Sequence, residues 1–125
     1  MGWGAIVFHR ETNPNDPYDH SGDVEYETTR ATLNVILDTM ELQKPDDEVW
    51  CGRIAAIRGI KMLYVGEQKD QLKDWTDFGF GFFNALGTLK KSGPPEYYQG
   101  AALEQFVNDI DTMKQMFQSH RNLDA

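Results

Sequence analysis

Six residues near the start of the chain, Trp3 to Phe8, are aromatic, β-branched or small, and this run predicts a short strand. Farther on, the apolar positions change period. Thr28, Thr32, Ile36 and Met40 fall four apart, and Ala31, Leu33, Val35 and Leu37 widen them into one helical face. A helix is expected from about Glu27 to Leu42, although the β-branched start (Val24, Thr28, Thr29) favours a strand for its first residues. Pro45-Asp46-Asp47-Glu48 reads as the next helix start, since proline breaks the preceding element and carboxylates suit a helix N-terminus.

From Val49 to Tyr64 two readings compete. Val49, Arg53, Ala56, Ile60 and Leu63 share one helical face, and Trp50, Ile54 and Ile57 share the next. This favours a helix stopped by Gly66, against a hairpin turning at Arg58-Gly59 with Ile60 to Val65 as a strand. Lys69 to Lys91 is expected to be helical, with Leu72, Trp75, Gly79, Phe82, Leu86 and Leu89 three or four apart. The alternation Phe78-Gly79-Phe80-Gly81-Phe82 inside it also fits a strand; in a helix, its glycines would let a neighbouring element approach closely. Ser92-Gly93-Pro94-Pro95 ends the segment. Within Glu96 to His120, residues Leu103, Phe106, Val107, Ile110, Met113 and Phe117 form the clearest helical stripe.

Thr12 to Gly22, with two prolines, two asparagines and a glycine, predicts an exposed loop at about 12–23, and the C-terminus is expected to fray from about 121. The expected architecture is α-dominant (α+β): three to four helices with one or two short N-terminal strands, in one compact domain spanning 1–125.

Composition agrees with a globular chain: 40% of residues are hydrophobic and 26% charged, which excludes wholesale disorder. Cys51 is alone, so no intramolecular disulfide forms, and a reducing, cytoplasmic setting is the expectation. The first residues have neither a basic start nor a long apolar run, and no stretch approaches the ~20 apolar residues of a membrane span. Charge changes the picture more. Residues 1–50 carry eleven acidic side chains against three basic ones, whereas 51–125 carry nine of each, so the net charge of −8 belongs to the first half. Such a surface repels phosphate backbones and anionic membranes and favours a basic protein partner.

Candidate chemistry is sparse. His9, His20 and His120 are far apart in sequence with no ligand spacing, so no metal and no cofactor is expected. Asn13, Asn15, Asp16, Asp19 and Asp23 offer oxygen donors, but the EF-hand pattern fails and turn capping is the simpler role. Arg53 stands close enough to Cys51 to lower its pKa, yet the apolar surroundings suit a buried, inert thiol. Val49 to Gly66 contains Arg53, Arg58 and Lys61 and no acid, a pattern that either grips an anionic ligand such as a nucleotide or pairs with the surplus acids of the first half. Trp3, Trp50, Trp75 and the phenylalanines of 78–83 exceed what a small helical core needs, and mark either that core or an interface, for which Trp75, Phe78, Phe80 and Phe82 are the candidates.

These features describe a small acidic protein-interaction module of the inhibitor, immunity or assembly type, not an enzyme. Such a module is expected to bind a partner protein or a second copy of itself. A small-molecule binder using Arg53, Arg58 and Lys61 is the alternative.

Overall fold

The computed structural model describes residues 2–10, 12–13, 15–16, 19–66, 72–96 and 98–120, with the backbone alone at 66, 72–76 and 120. Its elements run β1 (Trp3–His9), β2 (Val24–Thr29), α1 (Arg30–Gln43), α2 (Glu48–Ile60), β3 (Met62–Gly66), α3 (Leu72–Ser92) and α4 (Ala101–His120). The expected α+β class, with four helices and two short N-terminal strands, is what forms. A third strand completes the sheet in the order β2-β1-β3.

β1 is central. It pairs antiparallel with β2, Val7 opposite Glu25, and parallel with β3, Val7 opposite Tyr64. Period-two alternation sends Ile6 and Phe8 to one face together with Leu63 and Val65, all nearly fully buried. This face meets the helices: Phe8 lies edge-on to Phe82 of α3 at 6.0 Å, and the core continues through Leu33, Ile36, Ile110 and Phe117. Tyr26, also on this face, donates its hydroxyl hydrogen bond to Asp109 of α4 at 2.7 Å. Burial, then the facing carboxylate, holds that hydroxyl protonated well above the ordinary tyrosine range. On the opposite face Trp3, Glu25 and Glu27 are exposed, and Ala5, Met62 and Tyr64 are half-buried.

Local chemistry sets the helix ends. The Thr29 hydroxyl accepts from the Thr32 N–H at 3.1 Å, and Asp47 accepts from the Trp50 N–H at 3.0 Å, each an N-cap. Residues 27–29 therefore belong to β2, not to the helix expected from Glu27. Between 49 and 66 neither the long helix nor the hairpin forms. α2 runs to Ile60, Lys61 turns the chain at φ 60°, and β3 follows. Gly66 ends a strand instead of stopping a helix, because an edge of β1 is available to residues 62–66. The 78–83 segment is helical. The expected start of that helix at Lys69, like the frayed 121–125, lies outside the described residues. α4 begins at Ala101, not Glu96, and its stripe is buried at Phe106, Ile110, Met113 and Phe117 but exposed at Leu103 and Val107. No described helix is long and apolar enough to cross a membrane.

Gly81 fulfils the close-approach role. A Cβ there would lie 2.3 Å from the Trp50 ring. The ring has little room to retreat, since its N–H donates to the Met40 carbonyl at 2.8 Å and it packs against Phe78 at 4.9 Å. Gly87, on the same helix, has nothing within 4 Å of such a Cβ. Alanine favours a helix over glycine by about 1 kcal/mol. Gly87→Ala is therefore expected to stabilise the protein by roughly 0.5–1 kcal/mol, and Gly81→Ala to destabilise it by about 1–3 kcal/mol through overpacking. Urea midpoints that move in opposite directions check the pair; equal shifts refute the close packing of α3 on Trp50.

Candidate functional site

The three basic residues singled out between 49 and 66 are not gathered into one anion site. Arg58 turns back onto α1, where its guanidinium lies 2.5 Å from Asp38 and 3.5 Å from Glu41 and donates to Asn34 at 3.3 Å. Its carbonyl accepts from the Arg30 guanidinium. Pairing with the first half's acids is thus what the structure shows for Arg58. Arg53 lines a depression beside Lys44, Asp47 and Asp77, whereas Lys61 lines a different one on the exposed sheet face, with Trp3, Glu25 and Glu27.

The aromatic group divides in the same way. Phe78 and Phe82 are fully buried in the core, so neither is presented at the surface of the folded chain. Phe80 is 39% exposed and leans edge-on to Phe117 at 6.1 Å. The side chain of Trp75 lies outside the described residues. Large apolar side chains that the surface does display include Leu42 at 77% exposure, Trp3 at 69%, Val49 at 67% and Ile60 at 64%; of these Trp3 alone is aromatic.

Cys51 sits half-buried at the start of α2, its thiol 3.5 Å and 3.6 Å from the carbonyls of Lys44 and Pro45. Desolvation, then the carboxylates of Glu41, Asp47 and Asp46, pushes its pKa up. The nearby charges that act on the thiol are these carboxylates, in keeping with the inert thiol expected from the sequence.

One constellation was not legible in the sequence. His9 closes β1 and is 2% exposed; the chain then loops out and returns to lay His20 and Asp23 against it. Nδ1 of His9 lies 2.5 Å from one oxygen of Asp23, and Nδ1 of His20 lies 2.8 Å from the other. Tyr64 of β3 stacks on His9 at 5.3 Å and meets His20 edge-on at 6.1 Å. His9 and His20 are therefore not scattered, as the sequence implied, because the ten residues between them bring the second back to the first.

The loop is built from its own polar side chains. Asn13 accepts from the Asn15 N–H at 3.0 Å, and Asp19 from the Ser21 N–H at 2.9 Å, the turn-capping role expected of them. Those Ser21 hydrogen bonds, and then His20 and His9 nearby, hold the Asp19 carboxyl below its usual range. Gly22 closes the loop, since a Cβ there would stand 2.8 Å from the Arg10 carbonyl and 2.6 Å from the Thr12 methyl. Thr12 and Ser21 share a hydrogen bond at 3.1 Å across the loop's neck.

The raised Cys51 pKa has a kinetic consequence. The thiolate is the reacting form, so at pH 8 the thiol should alkylate more slowly than free cysteine, with a half-maximal rate at a higher pH. Glu41→Gln removes one of the carboxylates and should move that midpoint downward; iodoacetamide labelling followed by mass across pH checks both. No protein-family model, curated protein or solved structure matches the chain.

Proposed function

We propose that the chain acts by binding a basic protein partner on the face of its sheet that carries Trp3, Glu25 and Glu27, without chemistry of its own. Trp3 carries this reading. A paired strand fixes its backbone opposite Thr29, yet 69% of the residue is exposed. An indole presented this way offers a large contact area at little further cost in backbone order.

Its surroundings suit a cationic polypeptide. Half-buried Ala5, Met62 and Tyr64 extend an apolar strip along β1 and β3, while Glu25 and Glu27 line the β2 side with exposed carboxylates. Lys61 is the basic group at this depression. The −8 net charge adds a long-range field that steers a basic partner toward the protein and repels nucleic acid. The two glutamates also protect the sheet edge from pairing with a second copy.

Wild type and a Trp3→Ala/Glu25→Lys/Glu27→Lys variant, immobilised side by side, should differ in what they retain from source-cell lysate. The expected result is a basic protein held by wild type, released as salt is raised, and lost by at least about tenfold in the variant, in keeping with removal of an interface anchor. All three substitutions are at exposed positions, so the thermal midpoint should stay close to that of wild type. Equal retention by both proteins, or a wild type that runs as a monodisperse monomer and retains nothing, would overturn the reading.

A further inference from the structure

We infer that His9, His20 and Asp23 form a binding site for a divalent transition cation of the zinc class. The inference is independent of the docking face proposed above and rests on geometry. Among the described residues, these three are the group of histidine, cysteine and acidic side chains whose ligand atoms converge, all lying within 4.8 Å of one another.

The separations suit a tetrahedral ion. Zinc bonds nitrogen and carboxylate oxygen at ~2.0–2.2 Å, which sets donor atoms ~3.3–3.5 Å apart around it. Here the contacts from Asp23 to the two rings are 2.5 Å and 2.8 Å, with no donor pair beyond 4.8 Å. Entry of an ion lengthens the two direct contacts by less than about 1 Å and replaces them with bonds to the metal. The donor set selects the ion class. Two imidazoles and one carboxylate suit zinc and its first-row neighbours, whereas calcium and magnesium demand oxygen throughout.

Rigidity is divided between the ligands in a way that favours capture. His9 is held by the central strand and by stacking on Tyr64, so one donor is fixed before the ion arrives. His20 and Asp23 lie on one turn, closed by the Asp23 N–H to the His20 carbonyl at 3.0 Å, and approach together. The His20 side chain is 58% exposed, which leaves the ion a way in from solvent. Three protein donors leave a fourth position for water or for a donor from another molecule, the coordination of open rather than closed zinc sites. A bound ion ties the end of β1 to both ends of the last turn before β2. It thereby fastens the loop to the sheet.

The test uses the full chain, free of any affinity tag, titrated with Zn²⁺ by calorimetry and with Co²⁺ by visible absorption. One ion per chain is expected, together with a Co²⁺ spectrum of low coordination number. His20→Ala and Asp23→Asn should each weaken binding by at least about tenfold, by analogy with the 10–100-fold cost of losing even an outer-shell partner. Cys51→Ser should leave binding unchanged, which separates this site from adventitious capture by the thiol. The His20 ring is exposed and its removal leaves the core intact, as circular dichroism of the variant would show. Should either variant unfold, nuclear magnetic resonance of wild type decides: Zn²⁺ must shift the ring signals of both His9 and His20. Lack of uptake by folded wild type, uptake that the variants leave unchanged, or shifts confined to other residues would each overturn the site.

Discussion

A strand with neighbours on both sides must have its backbone groups met from two directions, and here that requirement falls on β1. β2 supplies one edge by folding back antiparallel, and β3 supplies the other in parallel. The parallel neighbour cannot follow through a tight turn, so α1 and α2 stand between β2 and β3 as the intervening chain. Once β1 is paired, its alternation decides the rest. Ile6 and Phe8 seat the helices on one face, whereas Trp3, Val7 and His9 belong to the other. The exposed Trp3 and the histidine cluster are both consequences of where one seven-residue strand sits.

The helical layer depends on a second fixed point, the Trp50 indole. Its N–H is committed to α1 through the Met40 carbonyl, its ring rests on Phe78, and Gly81 lets α3 come up against it. Gln43 reinforces the contact by donating to the Gly81 carbonyl at 2.7 Å. The alternating Phe-Gly segment thus serves packing within the chain: two of its rings fill the core and one of its glycines admits a neighbour's tryptophan. Charge is organised on the same helices. Arg58 lies among α1 carboxylates, so part of the first half's acidity is neutralised internally, while Glu25 and Glu27 remain outward.

The loop between β1 and β2 is held by its own polar residues. Asn13, Asp19 and Ser21 close its turns, and Gly22 allows its neck to pass close to the Arg10 carbonyl. With those turns closed, His20 and Asp23 arrive beside His9. Cys51, by contrast, is held by neighbouring carbonyls and acids in a setting that discourages chemistry.

Much of the local structure was legible without coordinates. The aromatic and β-branched run at Trp3, the four-apart stripe of α1, the helix start at Pro45 to Glu48 and the apolar faces of α3 and α4 are signals carried by residues a turn or less apart. The α+β class follows from them. Residues 24–29 and 62–66 are different, because their state depends on an unpaired edge of β1 far away in sequence. Their own propensities were ambiguous, and the available backbone partners decided for strand. The same reason hid the His9, His20 and Asp23 cluster and the attachment of Arg58 to α1. Periodicity reports which way a side chain faces along its own element, whereas convergence of side chains from different elements is a property of chain return, which only the tertiary structure determines.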